Sequence, residues 1–266
     1  MKVLKFGGTS VGSPQRIKEV AKLITNRGRN IIVLSAMSGT TNTLVEIADY
    51  LSKHNINGAK DIINSLEQRY REVMAELFTQ AERLEEAQAR IDAIFQHIRS
   101  FTRENFDEVA EKEILAQGEL MSTALMDIYL HEQGFRSVWL PALDFMRTDK
   151  NGEADNEFLA TRLGEMLEQH PEAELFVTQG FICRNVRGEV DNLQRGGSDL
   201  TASLIGGALL AEEIEIWTDI DGMHNNDPRF VERTVPVAEL HFDEAAELAY
   251  FLSLIHISEP TRLGMI

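Results

Sequence analysis

The sequence of 266 residues predicts an α/β protein built on a mainly parallel central sheet. A short apolar strand, a polar loop with glycine and a helix follow one another twice, and the second helix begins near Leu44. Residues 31–34 are apolar at every position, which is typical of parallel strands buried on both faces. In such sheets ligands bind in the loops at the carboxyl ends of the strands.

The first half of the chain supplies two strands and a block of helices. Strand 3–6 ends in two glycines, and Ser13-Pro14 predicts a helix N-terminus with proline at the first helical position, in a helix closed by Gly28. Strand 31–34 leads into the polar loop 35–42. From about residue 58 to residue 104 the pattern predicts a helical insertion, whose apolar stripes at 63–77 and 91–101 indicate an antiparallel helix pair laid over the sheet.

A third helical run passes through residues 117–122 and ends near Gly134. The α/β pattern then returns, with predicted strands at 138–140, 175–177 and 214–217 and helices at 157–167 and 201–211. Residues 181–193 predict a hairpin that turns at 185–188. No internal repeat or low-complexity linker divides this body, so we expect one domain.

Composition excludes several classes of protein. The formal net charge of −17 repels polyanions, so we expect no nucleic-acid partner. A single cysteine, Cys183, excludes an internal disulfide framework and fits a reducing compartment. No apolar run approaches the roughly 18 residues that span a bilayer, and the chain begins directly in a strand. We therefore expect a cytoplasmic protein with no membrane partner.

Three clusters carry residues suited to chemistry, and the first is the start of the chain. Lys5 brings a mobile positive charge next to Gly7 and Gly8, where backbone N–H groups can approach an anion. A plain strand-to-helix turn is the alternative interpretation.

The second cluster is the glycine-rich segment from Arg195 to Asp199, again placed before a helix. The guanidinium of Arg195 can grip a carboxylate or phosphate with two parallel hydrogen bonds. The alternative is a helix N-terminus with Asp199 near its positive end.

The third cluster, residues 217–222 and 225–229, opens from a strand into several carboxylates and one arginine. These groups suit the ribose, phosphates and magnesium of a nucleotide. The alternative is a solvated loop of turn-forming residues.

The order and spacing of these clusters, with loop 35–42 and residues 117–119, resemble the aspartate kinases within the amino-acid kinase family. The resemblance runs from Met1 to about Phe251, and glutamate, acetylglutamate and uridylate kinases share only parts of it. It implies a three-layer α/β/α sandwich that binds the amino acid in its N-terminal part and ATP in its C-terminal part.

The implied reaction converts L-aspartate and ATP to 4-phospho-L-aspartate and ADP, at the entry to lysine, threonine and methionine biosynthesis. The β-carboxylate of aspartate is itself the nucleophile and is ionised at neutral pH, so no general base is needed. Catalysis then consists of positioning and of charge neutralisation by lysine, backbone N–H groups and the Mg²⁺ carried with ATP.

The resemblance also implies roles for individual residues. Lys5 would hold the transferring phosphoryl group, and Asp199 would orient Lys5. In the aspartate pocket Glu119 would pair with the amino group and Arg195 with a carboxylate. The implied substrate-binding residues are Ser38, Thr41, Glu119, Arg195 and Gly196. The implied nucleotide-binding residues are Lys5, Gly7, Gly8, Thr9, Thr218, Asp219, Asp227 and Arg229. No metal site held by the protein alone is implied.

The sequence departs from the family pattern at three places. Gln194 replaces a common glycine and His224 a common tyrosine. After residue 251 the family continues with a Gly-Ala-Lys segment whose lysine reaches the nucleotide phosphates, whereas residues 252–266 do not resemble it and no lysine follows Lys150. We therefore expect a C-terminally incomplete catalytic domain, residues 1–251, followed by a foreign tail.

Two alternatives to an active aspartate kinase stay open. One is a non-catalytic remnant that binds aspartate or nucleotide. The other is a different amino-acid kinase, such as glutamate 5-kinase. The resemblance also leaves a homo-oligomer open.

Overall fold

The computed structural model describes residues 1–25, 27–103, 106–193, 196–218, 222, 224–226, 231–241 and 243–245. The described residues up to Trp217 form one compact unit, and those from Thr218 onwards belong to a second one.

The first unit contains a parallel sheet, as the sequence predicts. Its strands, together with those of a separate hairpin, are Lys2–Phe6 (β1), Asn30–Leu34 (β2), Ser137–Leu140 (β3), Leu175–Gln179 (β4), Ile182–Arg184 (β5), Val190–Asn192 (β6) and Glu213–Trp217 (β7). The sheet has the order β3-β4-β2-β1-β7, and each neighbouring pair is parallel. Strands β5 and β6 form the predicted hairpin and pair antiparallel. All carboxyl ends of the five sheet strands therefore meet at one edge.

The described helices are Pro14–Ile24 (α1), Thr40–Ser52 (α2), Ile56–Leu77 (α3), Ala81–Ser100 (α4), Glu108–Glu132 (α5), Asn156–Glu168 (α6) and Gly197–Ala208 (α7). The predicted N-terminus of α1 is confirmed, because Ser13 Oγ accepts a hydrogen bond from the Arg16 N–H and Pro14 is the first helical residue. Gly134 has a φ of +84° directly after α5, which fits its predicted role as a helix stop.

Two hydrophobic cores lie on the two faces of the sheet. Leu4 and Phe6 of β1 join a core with side chains from α1 to α5. Val3 of the same strand joins a second core with side chains from α6, α7 and the β5–β6 hairpin. Alternate residues of a strand point to opposite faces, so apolar residues of the same strand supply both cores. The three-layer α/β/α arrangement is thereby confirmed.

The helical insertion differs from the prediction in one respect. Helix α3 packs chiefly against α2 and α4 and also against α1, helix α4 packs against α5 as well, and α5 contacts the sheet. The pair is therefore an addition to the helical layer and does not lie directly over the sheet. The apolar stripe of a helix specifies that one face is buried, but it does not specify which element covers it.

Two helices begin earlier than the sequence predicts. Helix α2 begins at Thr40 instead of near Leu44, and α7 begins at Gly197 instead of at residue 201. Each follows a glycine in the left-handed conformation, Gly39 or Gly196. The first turns of both helices are polar, so the apolar periodicity starts only after the helix has begun.

The second unit contains a short antiparallel contact among its described residues. His224 forms an isolated bridge with Pro236, and its ring Nδ1 lies 2.9 Å from Thr234 Oγ1. The N–H of Asn225 donates to the Val235 carbonyl, and the Asn225 side-chain oxygen accepts from the Val235 N–H. Among the helices that the structure describes, none is long and apolar enough to cross a membrane.

Candidate active site

A cleft of about 270 Å³ opens at the carboxyl edge of the parallel strands. It is lined by one residue of β1, by residues that follow β2 and β4 or begin α2 and α7, and by one residue of α5. These lining residues are Lys5, Ser35, Thr41, Glu119, Phe181, Gly196, Gly197, Ser198 and Asp199. In parallel α/β sheets this edge is where ligands bind.

The two implied catalytic residues meet in this cleft. The side chain of Lys5 points to the same face of β1 as the side chain of Val3, and it therefore faces α7. Its Nζ lies 2.6 Å from Oδ1 of Asp199, in the first turn of α7. The Lys5 side chain is 12% exposed and that of Asp199 is 52% exposed. The cleft thus contains an ammonium group fixed by one carboxylate and open to a further anion.

Glu119 is the most unusual group of the cleft, because it is only 3% exposed and has no cationic partner among the described residues. Its Oε1 accepts a hydrogen bond from the Ala36 N–H at 3.1 Å, and its Oε2 accepts none from the residues that the structure describes. Burial raises the pKa of this carboxyl to about 8. A cationic ligand group would supply the missing partner of Oε2.

The glycines after β1 lie beside Lys5. A side chain on Gly7 would place its Cβ 3.7 Å from Lys5 Nζ, and a Cβ on Gly8 would lie 2.6 Å from the Ala36 carbonyl oxygen. Gly8 is therefore required for the close approach of the β1 and β2 loops. Thr9 is exposed, and its carbonyl oxygen accepts a hydrogen bond from Arg16.

The loop after β2 contributes Ser35 and Thr41 to the cleft, whereas Ser38 is exposed and is not among the lining residues. The Ser38 N–H donates to the Gly8 carbonyl at 3.0 Å, so the peptide of Ser38 connects the two loops. Ser35 is a site residue that our sequence analysis missed. Its signal was present, since it is the first polar residue after a fully buried strand.

Phe181, Gly197 and Ser198 are further cleft residues that we did not predict. Phe181 has a φ of +70°, an uncommon conformation for a bulky residue. It is held there because its N–H donates to Thr201 Oγ1 and its carbonyl accepts from the Leu193 N–H. No local sequence signal announces such a torsion angle. Gly197 and Ser198 lie inside the glycine-rich segment from Arg195 to Asp199 that the sequence indicates, although neither was assigned a role there.

Several predicted site residues are not placed by the structure. Arg195, Asp219, Asp227 and Arg229 lie outside the described residues. Thr218 follows β7 directly and is exposed. Within the described part of the chain, no group of three or more His, Cys, Asp or Glu side chains could hold a metal ion.

Comparison with known proteins identifies one family model and several relatives that are aspartokinases. The model of the amino acid kinase family matches residues 1–259. Aspartokinase 1, chloroplastic, of Arabidopsis thaliana is 35% identical over 99% of this chain and 48% of its own length. The lysine-sensitive aspartokinase 3 of Escherichia coli is 33% identical over 94% of this chain and 56% of its own length. The chain thus spans about half the length of these relatives.

A solved structure shares the fold. The structure of E. coli aspartokinase III in complex with aspartate and ADP superimposes with a TM-score of 0.81 and 31% sequence identity. The alignment covers 94% of this chain and 56% of that one. Because the family model matches nearly the whole sequence and the fold agrees, this chain belongs to the amino acid kinase family.

Proposed function

We propose that this protein phosphorylates the β-carboxylate of L-aspartate with ATP, giving 4-phospho-L-aspartate and ADP. The observation that carries the proposal is a single cleft that holds both the Lys5–Asp199 ion pair and the buried, half-partnered carboxylate of Glu119. The similar E. coli aspartokinase III is described with aspartate and ADP, which supports this choice of substrates.

The chemistry needs charge neutralisation more than proton transfer. A β-carboxylate oxygen of aspartate attacks the γ-phosphorus of ATP, a new P–O bond forms, and the bond to the β,γ-bridging oxygen breaks so that ADP leaves. Two anions must approach each other in this step. Lys5 and the positive N-terminal ends of α2 and α7, whose first residues line the cleft, would lower that electrostatic barrier.

The substrate ammonium group would bind Glu119, whose Oε2 accepts no hydrogen bond from the described residues. Ser35 and Thr41 supply hydroxyl groups in the same cleft, and we add Ser35 to the predicted substrate residues Thr41 and Gly196. Ser38 is not among the residues that line the cleft. Its N–H donates a hydrogen bond to the Gly8 carbonyl. The pairing of Arg195 with a substrate carboxylate stays a prediction.

On the nucleotide side, Gly7 and Gly8 would approach the phosphates beside Lys5. Thr9, Thr218, Asp219, Asp227 and Arg229 complete the predicted nucleotide residues. We propose that Mg²⁺ arrives with the ATP phosphates, because this ion is usually bound through substrate phosphate oxygens rather than by a cage of protein ligands alone. The ion would neutralise phosphate charge that an acidic protein of net charge −17 cannot offset alone.

We further propose residues 1–251 as the catalytic domain, residues 252–266 as a segment outside it, and the cytoplasm as the location. The single thiol, Cys183, is buried, and burial raises its pKa to about 12, which suits an inert core residue in a reducing compartment.

The direct test of this function is calorimetric titration with L-aspartate and, separately, L-glutamate. We expect aspartate to bind and glutamate, which is one methylene longer, to bind about tenfold or more weakly. Glu119→Gln should lose most of the affinity for aspartate. Lys5→Met should abolish formation of the acyl phosphate, trapped as a hydroxamate, whereas Lys2→Met on the same strand should not, because Lys2 pairs with Glu213.

Each alternative has its own outcome. Tighter binding of glutamate than of aspartate would identify a different amino-acid kinase. Binding of aspartate without any hydroxamate, also after the chain is extended by the relatives' following segment, would identify a non-catalytic remnant.

A further inference from the structure

The loop between β2 and α2, residues 35–41, is held from two sides by side chains far away in sequence. On one side α5 holds it, since Glu119 accepts from the Ala36 N–H and Ser122 Oγ donates to the Ser35 carbonyl. Of these residues, Glu119 and Ser35 line the cleft. The second set of contacts comes from the helical insertion, which contributes no lining residue to the cleft.

Two consecutive residues of α3 make this second set. Arg69 Nη2 donates to the Ser38 carbonyl at 2.6 Å, and the Tyr70 hydroxyl lies 3.1 Å from Thr40 Oγ1. Between these two contacts lies Gly39, whose φ is +81° and which precedes α2 without a side-chain cap. The start of α2 is therefore fixed by α3 in place of a cap.

Tyr70 is completely buried, and so is Thr40. Its ring packs edge-on against Phe95 of α4 at 6.0 Å, so the insertion itself fixes the ring. Burial raises the pKa of the phenol above its usual value, and the hydroxyl remains neutral. Loss of this hydroxyl would leave Thr40 without its partner inside the core, one residue from Thr41 in the cleft.

We propose that Arg69 and Tyr70 are positioning residues: through loop 35–41 they set the places of Ser35 and Thr41 and thereby the affinity for the amino-acid substrate. The inference rests on the proposed function for its substrate, but the contacts with the loop do not depend on it. Neither side chain touches the cleft. Their effect should therefore fall on aspartate binding and leave nucleotide binding unchanged.

The test compares Tyr70→Phe and Arg69→Met with matched controls. Tyr129→Phe removes a hydroxyl from a ring of the same core, and Arg71→Met removes the neighbouring arginine of α3, which pairs with Glu67 and Asp92. Amide hydrogen exchange at Ala36, Ser38 and Thr40 should become about tenfold faster in the two test variants only. Affinity for aspartate should fall about tenfold by calorimetry, with MgATP affinity unchanged.

A double variant separates positioning from stability. Tyr70→Phe with Thr40→Val removes both hydroxyls, so no buried group is left unpaired and the midpoint of thermal unfolding should recover. Aspartate affinity should stay low, because the loop has lost its anchor. Full recovery of affinity would overturn the positioning role.

Two other outcomes would also overturn it. Loop exchange that stays at the parent's rate, or that rises equally in Arg71→Met, would show that α3 does not hold the loop. If the parent itself fails to bind aspartate, the proposed function fails, and the exchange data alone decide whether the loop depends on Arg69 and Tyr70.

Discussion

At the residue scale, the cleft combines two charged groups in opposite situations. Lys5 has its partner, Asp199, and needs no ligand to be neutralised locally. Glu119 is buried with one unpartnered oxygen, and its raised pKa is the consequence. In the empty protein this carboxyl is therefore mostly protonated at neutral pH, and a cationic ligand group would favour its ionised form. Sites that bind ligands often contain such perturbed groups.

Glu119 should make the stability of the protein depend on pH. Its pKa is about 8 in the folded state against 4.5 unfolded, so the folded state binds more protons between these values. The free energy of unfolding should therefore fall as pH rises from 4.5 to 8. Glu119→Gln removes this dependence. As pH rises through that window, the free energy of unfolding of the variant should therefore increase relative to that of the parent, by at most about 1.4 kcal/mol per pH unit.

Urea unfolding of the parent and of Glu119→Gln at pH 5, 6, 7 and 8 measures this difference. Glu113→Gln on the same helix is a suitable control, since its carboxylate is partly exposed near His97. Parallel stability curves for the parent and Glu119→Gln would contradict the prediction.

At the element scale, the approach of α5 to the β2 loop depends on a missing side chain. A Cβ on Gly118 would lie 2.8 Å from the Cβ of Ala36 and 3.3 Å from Leu44 Cδ1. Glycine inside a helix normally costs about 1 kcal/mol relative to alanine. The close approach explains its presence here, one residue before Glu119.

Gly118→Ala should therefore destabilise the protein, although alanine is the better helix former. The gain in propensity is about 1 kcal/mol, whereas overpacking a core costs about 1–3 kcal/mol. Gly164 of α6 is the matched control, because a Cβ there meets nothing within 4 Å. Gly164→Ala should stabilise by about 0.5–1 kcal/mol, as measured by thermal or urea unfolding. Equal effects at the two glycines would refute the close approach.

At the scale of the whole molecule, the chain spans about half the length of its relatives. The described cleft holds three of the five residues predicted for the amino acid, Thr41, Glu119 and Gly196. Three of the eight predicted nucleotide residues, Asp219, Asp227 and Arg229, lie outside the described residues. The proposal that the amino acid binds in the N-terminal part and ATP in the C-terminal part can be tested by extending the chain.

Replacing residues 252–266 by the segment that follows the matched region in the E. coli lysine-sensitive aspartokinase 3 should strengthen MgATP binding. The affinity for MgATP should rise about ten- to a hundredfold, because one charge-assisted hydrogen bond contributes about 1.5–3 kcal/mol. Calorimetry with MgATP measures it, and L-aspartate affinity serves as the control that should not change. Equal MgATP affinities in the two versions would show that residues 252–266 do not limit nucleotide binding.

The sequence by itself determined the strands, the parallel sheet and the loops that form the site. Fully apolar strands that end in glycine or polar residues are a local signal, and the parity of β1 alone places Lys5 on the face opposite Leu4. Glu119, Thr41 and Asp199 could be assigned only through the resemblance, and the structure brings all three to one cleft.

Only the tertiary structure decided which side chains of those loops enter the cleft. Ser35 lines it and Ser38 does not, and Phe181 lines it in a left-handed conformation. The placement of α3 and α4 beside the other helices was likewise decided in three dimensions. Periodicity specifies which face of an element is buried, but its neighbours and the torsion angles of its loops depend on contacts between residues distant in sequence.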